Sequence, residues 1–121
     1  MKVLVDTNGL MLPAQHGIDV FEELKALGYG GCVVPSAVLD ELEALQDKVK
    51  GSDRAALAVA RALARQCEVV EAPGDADDVL ARLAKETGAP VLTNDAALRK
   101  RLKKDGVRVI FMRGRQKLAV E

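Results

Sequence analysis

Aromatic side chains are nearly missing from these 121 residues: there is no Trp, and Phe21, Tyr29 and Phe111 are the only Phe or Tyr. Stacking of unpaired bases on an aromatic platform therefore cannot dominate any contact with nucleic acid, and phosphate contacts and shape must carry more of it. Histidine occurs once, as His16, in a stretch after Pro13 that reads as a loop, where a lone His is ordinarily surface. Cys32 and Cys67 have no CxxC spacing and no His close in sequence, so a thiolate metal site is excluded and two reduced structural thiols are expected. No apolar run approaches the ~20 residues of a membrane helix, and Val3 to Val5 is far shorter than the about 7–15 residues of a signal-peptide core. The expectation is a cytoplasmic protein without a membrane partner. No Gly-rich phosphate loop with its Lys-Ser or Lys-Thr end is present, which removes the main nucleotide-triphosphatase reading.

Net charge is also absent, since 18 Lys and Arg balance 18 Asp and Glu, but the charges are unevenly spread. Residues 1–60 carry a formal −4 and residues 61–121 a formal +4. From Arg99 to Lys117, nine basic residues face one acid, Asp105, a cationic segment of the kind that meets phosphate backbones or else forms a solvated face. Arg54, Arg61 and Arg65 fall within about 20–40° of one another on a helical projection, opposite Leu57, Ala60, Leu63 and Ala64. They make a second basic stripe, suited to solvent, to RNA or to a neighbouring subunit.

What the chain does have is core. With 49% hydrophobic residues and no linker, repeat or low-complexity tract, residues 1–121 read as one domain, with 113–121 as a basic tail. Short β-branched runs at Lys2–Val5, Cys32–Pro35, Glu68–Glu71, Pro90–Thr93 and Val107–Met112 alternate with segments of helical period. Those segments are Asp19–Leu27, Ala37–Leu45 opened by Ser36, Arg54–Arg65 opened by Ser52 or Asp53, Ala76–Glu86 opened by Asp75, and Ala96–Lys104 closed by Gly106. The alternation predicts an α/β domain around a mainly parallel five-stranded sheet.

Asp6 directly follows the apolar run Val3–Val5, and Thr93, Asn94 and Asp95 follow Val91 and Leu92. The carboxyl ends of buried parallel strands are where open α/β sheets bind ligands. An isolated Asp at such an end is as readily a turn or helix cap; two at similar ends suggest one site. On the helix Ala37–Leu45, Glu41 lies about 60° from Val38, at the edge of the apolar stripe, while Asp40 and Glu43 point to solvent. After Asp75, Asp77 shares a face with Leu80 and Ala84 and is expected to face inward, whereas Asp78 lies about 160° from Leu80. Asp75 and Asp78 read as cap and dipole complement. Inward acids repel and are costly unless a cation neutralises them. Asp6, Glu41, Asp77 and Asp95 offer only hard oxygen ligands, which favours Mg²⁺ or Mn²⁺ over Zn²⁺. Phosphodiester hydrolysis is the reaction such ions most naturally serve.

The segments VDTNGL, PSAVLDELEAL and DADDVLARLAKETGAPVLTNDAALRKRLKKDGVRVI, in that order over nearly the whole chain, resemble the PIN domain family, which includes VapC-type toxins, ribosomal-RNA processing nucleases and, more distantly, flap endonucleases. The resemblance implies a three-layer α/β/α fold and matches the family's four acids to Asp6, Glu41, Asp77 and Asp95. Asn8 and Thr93 fall on the family's supporting groups, as does Ser36. It implies Mg²⁺- or Mn²⁺-dependent endonucleolytic cleavage of RNA by a metal-activated water, with Asp6, Asp77 and Asp95 as principal ligands and Glu41 as a ligand or an orienter of the water. Arg99, Lys100, Arg101, Lys103 and Lys104, with Arg54, Arg61 and Arg65, are the candidate RNA contacts. An antitoxin, a ribosome-assembly partner and self-association into a homodimer or higher homo-oligomer are the partners implied. Two other readings remain: a catalytically weak PIN-like module that binds RNA or protein, and an aspartyl-phosphate enzyme of the haloacid-dehalogenase type. The latter is weakened by Asn8, which stands where that family places its second Asp.

Overall fold

The structure is a computed structural model, and it describes residues 1–114 and 117–121. Arg115, part of the predicted cationic segment, and Gln116 lie outside the described residues. The elements run β1 (Val3–Val5), α1 (Thr7–His16), α2 (Val20–Ala26), β2 (Cys32–Pro35), α3 (Ser36–Gln46), α4 (Ser52–Arg65), β3 (Glu68–Val70), α5 (Ala76–Thr87), β4 (Val91–Leu92), α6 (Ala96–Lys104), β5 (Val109–Arg113) and β6 (Lys117–Val120). Among the described residues no helix is long and apolar enough to cross a membrane.

The strands form one sheet in the order β3-β2-β1-β4-β5-β6, with β1 to β5 parallel and β6 antiparallel to β5. The expected mainly parallel α/β sheet is present, but among the described residues it has six strands instead of five. Lys117–Val120 looked like part of a basic tail because only two of its residues are large and apolar; Leu118 is buried and pairs opposite Met112. Val3, Val34, Val91, Leu92, Val109 and Ile110 are wholly buried, as central parallel strands covered on both faces require. Right-handed crossovers with this strand order place the helices preceding β2 and β3 on one face and α5 and α6 on the other. The direction of winding therefore reverses between β1 and β4, and a crevice opens at their carboxyl ends.

Several predicted boundaries need correction. Thr7–His16 is a helix, not a loop, and His16 is its exposed last residue. Gly9 and Pro13 concealed it, yet Asp6 caps its start, and Gly17 in the left-handed conformation closes it by donating from its N–H to the Pro13 carbonyl at 2.8 Å. Ser36 lies inside α3 behind Pro35, without capping it, and α4 starts from Gly51 instead of from a Ser52 or Asp53 cap.

Gly9 has a steric reason. A Cβ there would lie 2.7 Å from the Leu92 carbonyl oxygen and 3.0 Å from a Val5 methyl, so only glycine lets the first turn of α1 settle onto the ends of β1 and β4. Cys32 and Cys67 form a disulfide, with Cα atoms 4.9 Å apart, and are not the two reduced thiols expected. The cause is strand register: Val33 pairs with Glu68, so their predecessors lie side by side although 35 residues separate them.

Two stability effects follow. Gly9→Ala gains about 1 kcal/mol of helix propensity but forces a backbone contact apart, for a net loss of about 1–3 kcal/mol, seen as a lower urea midpoint at unchanged slope. Cys67→Ser costs about 2–4 kcal/mol relative to the oxidised protein. Reductant lowers the thermal midpoint of the wild type similarly and leaves the variant unmoved.

Candidate active site at the end of β1 and β4

Asp6 ends β1 and is 6% exposed, the one buried carboxylate of the chain's described residues. Both its oxygens are engaged: the Gly9 N–H donates to Oδ1 at 2.6 Å, and the Thr93 hydroxyl donates to Oδ2 at 2.5 Å. The fully buried Thr93 also accepts from the Asp95 N–H at 3.0 Å, and Asp95 caps α6 by accepting from the Leu98 N–H at 2.8 Å. A continuous polar chain thus joins the two predicted strand-end acids through one hydroxyl.

A parallel chain runs beside it. The Asn94 N–H donates to Asn8 Oδ1 at 2.8 Å, and the Met112 N–H donates to Asn94 Oδ1 at 2.7 Å. Asn8 and Thr93 therefore do hold neighbouring elements in place. Asn94, named in the sequence only as part of the second strand end and given no role there, is a positioning residue. Ser36 acts farther off, accepting from the Ala72 N–H at 2.8 Å and so tying the start of α3 to the segment after β3.

The other acids form an exposed rim. Glu41 on α3 is exposed, as Asp40 and Glu43 are, and is not held against the protein body as its helical phase predicted; it accepts a hydrogen bond from the Thr7 hydroxyl. Asp77 is exposed and does not face the apolar interior as predicted. It lies in the first turn of α5, where the inward phase leads out over the strand ends. Asp95 is exposed as well.

Their charges nevertheless reach one another. Burial pushes the Asp6 carboxyl up to about 7; its two hydrogen bonds oppose the rise, and the charges of Asp77 and Asp95 add to it. Asp77 is raised by partial desolvation and by Asp75, Asp95 and Glu41, with Arg101 opposing. All four predicted acids therefore share one electrostatic field. Among the described residues, none of the four enters an ion pair, and no three acids, His or Cys are already drawn close enough to hold a metal ion.

Three of the eight basic candidates are engaged in ion pairs among the described residues. Arg101 pairs with Asp78 at 2.7 Å, while Arg99 and Lys103 both grip Glu121 at 2.8 Å, and Arg99 lies 4.2 Å over the Phe111 ring. Lys100, Lys104 and Arg54 form no ion pair among the described residues. Arg61 and Arg65 line a groove of about 290 Å³ with Leu39, Leu42, Ala64 and Val69, a groove that none of the four acids lines. The predicted basic track is thus divided between ion pairs beside the site and a separate groove.

Comparison with known proteins bears on the family and the fold. The sequence is 30% identical over 118 residues to Ribonuclease VapC9 of Archaeoglobus fulgidus, covering 98% of this chain and 87% of that protein. The fold superimposes on the PIN domain endonuclease Utp24 with a TM-score of 0.79 and 27% identity, over 99% of this chain and 90% of the other. A domain of a functionally unknown protein from Methanocaldococcus jannaschii shares the fold, with a TM-score of 0.67 at 21% identity over 93% of this chain and 91% of that one. The family model described as a PIN like domain matches residues 3–115, from the strand that delivers Asp6 to the end of β5, and the chain belongs to that family.

Proposed function

We propose that this protein is a metal-dependent ribonuclease acting as an endonuclease, with Asp6, Glu41, Asp77 and Asp95 as its active site. The observation that carries this reading is the placement of Asp6 and Asp95 at the ends of adjacent parallel strands, joined through the Thr93 hydroxyl at the point where the winding reverses. The names of the relatives, a ribonuclease and a PIN domain endonuclease, support the same activity.

The donor set suits Mg²⁺ or Mn²⁺: four carboxylates in mutual repulsion, one of them buried, with no imidazole or thiolate among them. Asp6, Asp77 and Asp95 would hold the ion, and Glu41 would hold it too or orient the attacking water. When bound, the ion supplies the positive charge that steadies the attacking and leaving oxygens at phosphorus. The chain's own work is positional. Asp6 is locked by the Gly9 N–H and the Thr93 hydroxyl, Asp95 by its cap on α6, and Glu41 by Thr7. An antitoxin-bound toxin and a ribosome-assembly nuclease are the two biological settings that fit, and a homodimer is compatible with both.

A catalytically weak module that binds RNA or protein is the second reading, favoured by the separation of the four acids among the described residues. Metal separates the two. Saturating Mn²⁺ raises the thermal midpoint of the wild type by several degrees, since a ligand at about 100 times its Kd adds about 2.7 kcal/mol to the native state. Asp6→Asn abolishes that rise and lowers RNA cleavage at least about 100-fold with an unchanged far-UV circular dichroism spectrum. A wild type that gains no stability and cuts no RNA is the binding module; an Asp6→Asn variant that still cuts refutes the assignment.

The metal-free protein has a pH signature. Because the native Asp6 carboxyl titrates near 7 and the unfolded one near 3.8, the folded state holds the extra proton between those values. Asp6 therefore removes stability as pH rises through that window, by a few kcal/mol at about 1.4 kcal/mol per unit. In chelator, the wild type loses stability relative to Asp6→Asn between pH 4 and 7. Parallel curves for the two proteins would disprove it.

A further inference from the structure

Glu121 is the residue on which two cations of the predicted RNA-binding segment converge. Its Oε2 meets the Arg99 guanidinium and its Oε1 meets the Lys103 ammonium, each at 2.8 Å, so the two oxygens of one carboxylate take one cation apiece. Together these cations hold the Glu121 carboxyl below its ordinary value. Ala96, Arg99, Lys100, Lys103 and Glu121 line a cavity of about 240 Å³. Phe111 supports the Arg99 guanidinium from below, and Arg99 Nε is buried with no partner among the described residues.

The cavity lies along α6 from Asp95 toward the amino end of β5, where the Glu121 N–H meets the Val109 carbonyl. Ala96 is the first residue of the helix that Asp95 caps, and the Arg99 N–H donates to the Asp95 carbonyl at 2.9 Å, one turn along. Two non-bridging oxygens of a phosphodiester offer the same paired acceptors as a carboxylate, with the same negative charge. The Glu121 grip is partly open to solvent, so its partners can be exchanged. The segment's backbone does not depend on that grip, because the Glu121 N–H donates separately to the Val109 carbonyl at 2.8 Å.

We infer that Arg99, Lys100 and Lys103 form a subsite for one backbone phosphate of the RNA strand, and that the Glu121 carboxylate is its built-in competitor, occupying the place that phosphate takes. The inference rests on RNA being the substrate. Binding requires Glu121 to swing aside, so the side chain sets the affinity threshold for RNA that runs along α6. Strands too short to reach both the acids and this pocket cannot displace it profitably.

The test measures binding of a fluorescent single-stranded RNA by anisotropy in chelator, across a salt series, where nothing is cut. Glu121→Gln tightens binding about three- to tenfold at low salt and steepens the salt dependence by roughly 0.7 per freed phosphate contact. Glu68→Gln is the control: it removes the same charge and frees Lys2 at the opposite edge of the sheet, and gives a smaller change. Adding Lys103→Ala to Glu121→Gln cancels the gain. The subsite is overturned if natively folded Glu121→Gln binds no tighter than Glu68→Gln, or if the double variant keeps the gain. Wild-type cleavage with no response to Glu121→Gln leaves the nuclease reading standing without the subsite. A Glu121→Gln gain in a protein that never cleaves does the reverse.

Discussion

The Asp6 carboxylate is buried at the end of a central strand and satisfied by two donors that belong to different parts of the fold. One donor, the Gly9 N–H, is an otherwise orphaned amide of the first turn of α1; the other, the Thr93 hydroxyl, comes from the end of β4. The carboxylate therefore fixes where α1 starts and ties β1 to β4 at the winding reversal. Gly9 is required by the same contact, since any side chain there would push the first turn off the Leu92 carbonyl. Because both donors point at Asp6 and no basic side chain pairs with it among the described residues, the group is held in place without being neutralised. Its raised titration is the electrostatic trace of that arrangement.

Only one of the four acids bears this strain. Burying two carboxylates side by side would raise both and cost several kcal/mol each, whereas exposed ones repel through water at little expense. Keeping Glu41, Asp77 and Asp95 exposed lets the fold tolerate their charges within electrostatic reach of one another and of Asp6. The rim acids are restrained by their backbone neighbours instead: Asp95 by the helix it caps, Glu41 by Thr7, Asp77 by its place in the first turn of α5.

Much of this was readable in the sequence, and the failures have physical causes. Asp6 and Asp95 followed from apolar runs that stop at a carboxylate, and the cap of α5 at Asp75 appeared as expected. Helical phase singled out Glu41, which meets the Thr7 hydroxyl, but it overstated the burial of Glu41, which is exposed like Asp40 and Glu43. The same rule misjudged the exposure of Asp77, since phase gives direction but not depth, and a first turn can point inward above the core. α1 was hidden because Gly9 and Pro13 read as breakers, whereas Gly9 is there for a tertiary contact. The charges of Arg99, Arg101 and Lys103 were plain in the sequence; their partners Glu121 and Asp78, brought close only by folding, were not.

The disulfide belongs to the same class of information, as a spacing of 35 residues says nothing until β2 and β3 are in register. Its position divides the site into two mechanical parts. Asp6 and Asp95 follow β1 and β4 and are joined through Thr93. Glu41 arrives from α3, inside the loop that the bond between Cys32 and Cys67 closes, and reaches the others through the Thr7 hydroxyl. Ser36 adds a second tether at the start of α3 by accepting from the Ala72 N–H, close to where the chain leads into Asp75 and Asp77. The placement of Glu41 thus depends on covalent closure and on two hydroxyl contacts, while that of Asp6 depends on the sheet itself. A perturbation of the Cys32–Cys67 loop would therefore detach the fourth acid from a strand-end pair that stays assembled.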